Sequence, residues 1–338
     1  MAEKIEKGEK KNDKKILIIG AGGAGLNISQ YFERFRNSKE EFTAQVEVVY
    51  VDTSRANLKG DISPDRFFQT EGTDGSGGVR SENIEPIRQA VPTIVNKFKA
   101  ADINVIIFSA DGGSGNALGA CLAAELLKRD QNVISIVVGN SIGIQPTKNT
   151  IGTLRTLDGI ASKQSAPMVA AYFHNSPDNS IETVNRDIHN TVMLIATLFS
   201  GMHGSIDSRD LYNWLHYDQV TEYEPGLTFL DVITSDKGGV SDLQRNLPIA
   251  SLITLGHSHN ERYVLGDNDA DYHKVGIMHA PEKYSKDVSV YFALTTHGIP
   301  DIIDQLEERR STLKDNAAAK RKQRSISTGA DDSGFVFE

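Results

Sequence analysis

The sequence predicts an α/β fold: a doubly wound parallel sheet, a long central helix, and a smaller α+β C-terminal domain. Three observations carry this. Short apolar runs alternate with helically spaced segments through the first half of the chain. Glycine clusters stand at the ends of those runs, where ligand loops of an open parallel sheet lie. After Val220 the pattern changes to closely spaced strands.

Residues 1–14 (MAEKIEKGEKKNDK) carry mixed charge, which predicts a disordered tail. Lys15–Ile19 is a short apolar strand feeding into the first glycine cluster, and Leu26–Phe35 follows at helical spacing. Val46–Asp52 is a second buried strand. Val105–Ser109 is a third, ending at another glycine cluster and followed by an Ala/Leu-rich helix to about Arg129. Val133–Val138 and Met168–Phe173 complete a first domain over 15–178. In Ile181–Phe199 the residues Ile181, Val184, Ile188, Val192, Ile195 and Phe199 form one stripe, widened by Met193, Leu194 and Leu198. This predicts a long helix at the seam between two halves, with its following loop spanning 179–218. An ordinary core helix would show the same apolar positions. Leu227–Ile233, Ile249–Leu255, Val275–Met278 and Val288–Thr296 read as strands of an α+β domain over 219–300. A C-terminal helix is expected over 301–324, within Ile299–Arg324, its basic end (Lys320–Arg324) favourable to the helix dipole. Residues 325–338 read as an acidic flexible tail with two Phe.

The net charge of −9 argues against broad phosphate-backbone binding, so no direct nucleic-acid partner is expected. One cysteine, Cys121, excludes a disulfide framework and fits a reducing cytoplasm; in its Ala/Leu helix it reads as a small core residue. The run Val192–Phe199 falls far short of a membrane span, and Met1–Lys15 lacks the apolar stretch of a secretory signal. Nine histidines show no metal-ligand spacing, and His257 with His259 reads as a polar loop, so no protein-held metal is expected.

Three glycine clusters, Gly20–Gly25, Gly72–Gly78 and Gly112–Gly119, each hold four of the 29 glycines. Gly20-Ala-Gly22-Gly23-Ala24-Gly25 fits GxGxxG between a strand and a helix, where backbone N–H groups meet phosphate oxygens. Taken with Asp52 at the end of the second strand, it also fits the NAD site of an oxidoreductase. A dinucleotide fold needs one such loop, whereas three suit a nucleotide whose phosphates lie across the sheet edge. No GxxxxGK[ST] is present, so the charge must be met by amides, helix dipoles and a metal.

The combination resembles the tubulin/FtsZ superfamily of filament-forming GTPases. Its first loop, GxGGxGxN, is matched by Gly20 through Asn27 with Ala24 in place of a glycine. Its signature loop, GGGTG[ST]G, is approximated by Asp111-Gly112-Gly113-Ser114-Gly115-Asn116-Ala117, where Asp111 sets a carboxylate beside the phosphates. Ala166–Asn175 and Ile206–Leu215 look like the phage tubulins, over roughly residues 15–325.

The resemblance implies that 15–178 is a nucleotide-binding domain for GTP/GDP with Mg2+. Gly22, Gly23, Ala24 and Asn27 come from the first loop, and Gly112, Gly113, Ser114, Gly115 and Asn116 from the signature loop. It further implies that Asp52 and Thr53 face the phosphates and their Mg2+ through water, and that Ser76, Gly77 and Gly78 cradle the terminal phosphate. Asn149 would stand near the ribose, Asn175 against the nucleoside, Ile181 over the guanine ring and Asn185 at its edge. Taken alone, each Asn reads equally as an exposed helix or loop residue. The family pattern NxDxxD appears as Ser205-Ile206-Asp207-Ser208-Arg209-Asp210. On spacing alone Asp207 and Asp210 are helix N-terminal acids complementing the dipole. In the family they polarise water at the γ-phosphate of the neighbouring subunit. The implied protein is a cytoplasmic GTPase that polymerises head to tail and hydrolyses GTP at the subunit contact. By resemblance alone it positions phage DNA or its compartment, with capsids as possible cargo. The acidic tail would dock on the next subunit. A nucleotide-dependent scaffold with little hydrolysis is the other alternative, motivated by Ser205 and Asp111.

Overall fold

The structure, a computed structural model, describes residues 13–36, 43–58, 60, 62–79, 81–176, 178–235, 248–256, 270–277 and 288–326. The expected N-terminal tail (but for Asp13 and Lys14), His257, His259 and the tail from residue 327 lie outside these residues.

Ten strands among the described residues form one sheet in the order β3-β2-β1-β4-β5-β6-β7-β10-β8-β9. They are β1 (Lys15–Ala21), β2 (Gln45–Asp52), β3 (Phe67–Gln69), β4 (Ile103–Ser109), β5 (Val133–Asn140), β6 (Met168–Asn175), β7 (Leu227–Ser235), β8 (Ala250–Leu255), β9 (Tyr272–Ile277) and β10 (Ser289–Thr295). From β3 to β7 every pairing is parallel. β10 is antiparallel to β7 and β8, and β8 is parallel to β9. The helices are α1 (Gly22–Ser29), α2 (Ile84–Lys97), α3 (Ser114–Lys128), α4 (Ile144–Gln164), α5 (Ile181–Leu198), α6 (Ser208–Leu215) and α7 (Ile299–Ile326).

The first half reads as continuous apolar runs because its strands are covered on both faces. Ile16 and Ile18 of β1 face one layer, with Leu26, Phe32, Ile188 and Val192. Leu17 and Ile19 face the other, with Ile94, Leu122 and Leu154. Thus α1, α5 and α6 lie on one face, and α2, α3, α4 and α7 on the other. Each fully buried Ile or Leu contributes about 2 kcal/mol of hydrophobic stabilisation.

α5 presents Val184, Ile188, Val192 and Ile195 to a cluster that includes Val105 and Ile136 of the first half and Leu252 and Phe292 of the second. Ser180 caps its start by accepting from the Thr183 N–H at 3.3 Å. The helix begins just past the carboxyl end of β6. It finishes at the opposite edge of the sheet, where the Ala44 N–H, beside the start of β2, donates to the Ala196 carbonyl at 2.9 Å.

Several features depart from the sequence pattern. β3, α2 and α4 are elements that the alternation of apolar runs does not indicate. α1 starts at Gly22 and continues as a 3-10 helix over Gln30–Phe35. Gly119 lies inside α3 against the Phe108 ring, so the third cluster is only partly a loop. Lys14 is anchored, its Nζ 2.9 Å from Asp102 and its carbonyl accepting from the Gln45 N–H. α7 continues past residue 324 to Ile326. Among the described residues no helix is long and apolar enough to cross a membrane.

Candidate functional site

The chain leaves β1 toward β2 on one side and later returns to β4 on the other. The carboxyl ends of β1 and β4 therefore frame the topological switch point, where ligand crevices form in open α/β sheets. A cleft of about 460 Å3 lies there. Its lining includes Gly23, Ala24, Asp52, Ser76, Gly77, Gly112, Gly113, Ser114 and Gly115, so all three glycine loops meet at one place. Ser54, Asn57, Asp74 and Ser109 also line it; Asp74 lies within the second cluster and Ser109 ends the strand before the third, while Ser54 and Asn57 carried no sequence signal.

The glycines have separate physical causes. Gly22 sits at φ +69°, and a Cβ there would come within 2.5 Å of the Gly115 Cα, so the first and third loops touch backbone to backbone. A Cβ on Gly25 would collide with the Ile107 carbonyl oxygen, because α1 lies directly on β4. Helices α1 and α3 both start in this cleft, and neither start is capped by a side chain. Their first N–H groups are thereby left for an anion.

Polar contacts fix the walls. Thr53 Oγ1 and Ser114 Oγ share a hydrogen bond of 2.6 Å, joining the end of β2 to the third loop. Asp52 Oδ1 accepts from the Thr53 N–H at 2.7 Å and its Oδ2 from Asn57 Nδ2 at 3.3 Å. Burial pushes the Asp52 carboxyl up, against these hydrogen bonds. Asn116 donates to the Gly112 carbonyl at 2.6 Å and is fully buried beneath the loop. Asn149 reaches over from α4 and donates to the carbonyls of Asp111 at 2.8 Å and Gly78 at 3.1 Å. It ties the second and third loops together, and its amide is spent on protein carbonyls.

Asn27, Asn175, Ile181 and Asn185 are not in the cleft lining. Asn27 is exposed on α1, and Asn185 is half-buried on α5. Asn175 pairs in register with Asn140 at the carboxyl edge, and its Oδ1 is buried with no partner among the described residues. A buried acceptor of this kind is costly unless something fills it. Ile181 is 60% exposed at the start of α5, although it heads the apolar stripe.

The oxygen donors Asp52, Asp74, Thr53 and Ser114 suit a hard cation such as Mg2+. No group of three His, Cys, Asp or Glu that could hold a metal occurs among the described residues.

The acid pair is elsewhere. Asp207 is the N-cap of α6, its Oδ1 accepting from the N–H groups of Arg209 at 2.8 Å and Asp210 at 3.0 Å. Asp210 Oδ2 accepts in return from the Asp207 N–H at 3.2 Å, closing a capping box. Asp210 Oδ1 also meets Tyr272 Oη at 3.0 Å and Lys274 Nζ at 3.2 Å. The capping role that the spacing predicts is therefore present in the geometry. The pair lies past the far end of α5, at the amino edge of the sheet. α5 has 18 residues, so about 27 Å separates its two ends.

No family model matches the chain. A phage tubulin-like protein of Pseudomonas phage phiKZ is 27% identical, the match covering 96% of this chain and 98% of that protein. A phage tubulin-like protein of Pseudomonas phage 201phi2-1 is 26% identical over 94% of this chain and 96% of its own. Among solved structures, a protofilament of TubZ from bacteriophage PhiKZ aligns with a TM-score of 0.78 and 24% identity, over 95% of both chains. The phage tubulin PhuZ bound to GDP aligns at 0.76 and 24%, again over 95% of both. Fold, loop set and relatives agree over nearly the whole length: the chain is similar in sequence to phage tubulin-like proteins and shares the fold of the solved phage tubulins.

Proposed function

We propose that the protein is a filament-forming GTPase whose site is completed between two subunits stacked head to tail. One observation carries this: the cleft stands at the carboxyl edge of the sheet and the exposed acid Asp207 at the amino edge, the length of α5 apart. Within one subunit the acids cannot reach the cleft. In a stack of identical subunits the amino edge of one meets the carboxyl edge of the next, and every contact reproduces the same composite site.

GTP would lay its phosphates on the N–H groups of the three loops, between Gly22–Ala24, Ser76–Gly78 and Gly112–Asn116. Mg2+ bound with the nucleotide would sit near Asp52 and Thr53 through water and supplies charge neutralisation on the phosphates. The base would lie toward α5, with Asn175 Oδ1 gaining a donor, Ile181 covering the ring and Asn185 at its edge. That placement gives the unfilled Asn175 acceptor and the exposed Ile181 a common use. Asn149 supports the loops from behind instead of touching the ribose. Asp207 and Asp210 of the neighbour would orient the attacking water, which for phosphoryl transfer needs positioning more than covalent help. Residues 15–178, 179–218, 219–300 and 301–324 are kept as the working units of this scheme, in the host cytoplasm. The positioning of phage DNA or its compartment rests on the family resemblance alone.

A scaffold with little hydrolysis has one observation in its favour: Asp210 is already engaged in the capping box and by β9. Light scattering and phosphate release, measured together with GTP, ATP or NAD, separate these functions. Assembly and phosphate release with GTP only are expected. Scattering without phosphate would favour the scaffold. Binding of NADH with neither signal would favour an oxidoreductase. Asp210→Ala should bind GTP normally and abolish turnover.

A further inference from the structure

β9 belongs to the C-terminal strands, yet it grips the loop and helix that carry the acid pair. The Gly204 N–H donates to the Ile277 carbonyl at 3.3 Å, and Gly276 packs against Ile206 and His203. Two side chains of the same strand, Tyr272 and Lys274, converge on one oxygen of Asp210, at 3.0 and 3.2 Å. A carboxylate offers about four lone-pair sites. The Asp207 N–H takes one, and Tyr272 and Lys274 take two more, leaving one direction for a further donor. The Asp210 side chain is 14% exposed and Lys274 is 44% exposed, so the carboxylate is not sealed from solvent.

We propose that Tyr272 and Lys274 are positioning residues for hydrolysis: they fix the Asp210 carboxylate in one rotamer, so that its single free acceptor aims at the water attacking the neighbour's nucleotide. This rests on the in-trans GTPase described above. It assigns β9 a part in the reaction that the NxDxxD pattern does not contain. Charge supports the arrangement. The groups facing Asp210 are Asp207 and Arg209 on its own segment, with Tyr272 and Lys274 on β9. Burial pushes its carboxyl up, but the Asp207 N–H, Tyr272 and Lys274 outweigh this and hold it below the usual range. Tyr272 in turn is pushed up to about 12, by burial first and then by its bond to Asp210. It therefore stays a donor at any working pH.

The test compares Tyr272→Phe, Lys274→Met and Lys274→Arg with wild type, reading GTP affinity of the subunit, critical concentration and phosphate release per assembled subunit. Unchanged affinity and assembly are expected, with turnover lower by on the order of tenfold to a hundredfold in Tyr272→Phe and Lys274→Met. Lys274→Arg should restore most of the rate. A purely structural tie between β9 and α6 would lower stability yet leave turnover per assembled subunit unchanged, which overturns the proposal. If Lys274→Met does not assemble alone, doping it into wild-type filaments decides: turnover should fall with the doped fraction, and undiminished turnover overturns the proposal. Wild type assembling without phosphate release would overturn the GTPase reading itself, a failure told apart because it precedes any substitution.

Discussion

Asn140 donates its side-chain amide to the Asp111 carboxylate at 2.8 Å, and Asp111, although it belongs to the third glycine loop, is not among the residues lining the cleft. The Ser109 hydroxyl donates to the other Asp111 oxygen. The departure from glycine at this position is thereby accommodated at the end of β5, where the Asp111 N–H also donates to Ser109 Oγ at 3.3 Å. Burial pushes the Asp111 carboxyl up, partly offset by Asn140.

The first prediction concerns this carboxylate. Asp111→Asn should leave GTP affinity nearly unchanged, because the charge removed does not face the phosphates. Were it facing them, removing it would tighten binding about tenfold, or about 1.4 kcal/mol. Titration with a fluorescent GTP analogue distinguishes the two.

Asp207 has a structural and a proposed catalytic role, and two substitutions separate them. Asparagine is as good an N-cap as aspartate, whereas alanine is not. Asp207→Ala should lower stability by about 1 kcal/mol, and Asp207→Asn by a few tenths. Both should reduce phosphate release. Thermal unfolding and a phosphate assay on the same samples check this.

Two glycines should behave in opposite ways. Gly25→Ala forces a methyl into the Ile107 carbonyl and should cost about 1–3 kcal/mol, with weaker nucleotide binding as α1 is pushed from the sheet. Gly159 lies within α4 with nothing near its Cβ position, so Gly159→Ala should stabilise by about 0.5–1 kcal/mol. Denaturant midpoints measure both.

What was legible in the sequence follows from which residues leave an unambiguous mark. Backbone contact between Gly22 and Gly115 permits no side chain, so loops packed this closely announce themselves as glycine clusters. α4 leaves no such mark. Its buried positions include Thr147, Thr150 and Thr153, which read as polar. Their hydroxyls fold back onto carbonyls four residues earlier, at 2.7, 3.0 and 2.9 Å, and so can be buried. α2 is obscured by Pro92 in its interior, and β3 is only three residues long. Asn57 and Asp74 reach the cleft by tertiary placement, and Asn149 braces it from a helix that periodicity does not reveal. The NxDxxD pattern locates Asp207 and Asp210, but Tyr272 and Lys274 come to them from 62 and 64 residues away along the chain, a pairing that only the fold establishes.

Burial holds His174, His189, His216 and His273 below the ordinary histidine value of 6.5. Above that pH these rings are neutral folded and unfolded, and contribute nothing to pH dependence. Below it the unfolded chain takes up protons that the folded protein refuses, so stability falls as pH drops from 6.5 toward the folded values. His174 bridges Tyr172 and Ser141, at 2.8 and 2.9 Å. His174→Gln should therefore flatten the loss of melting temperature between pH 7 and 5.5; an identical slope would contradict the assignment.

The most direct measurement is phosphate release per subunit as protein concentration is raised at saturating GTP, with scattering followed in the same cell. A site split between the glycine cleft of one subunit and the acid pair of the next predicts almost no release below a critical concentration. Above it, release should rise in step with scattering. A specific activity that is constant across all concentrations, including those where no scattering develops, would contradict it.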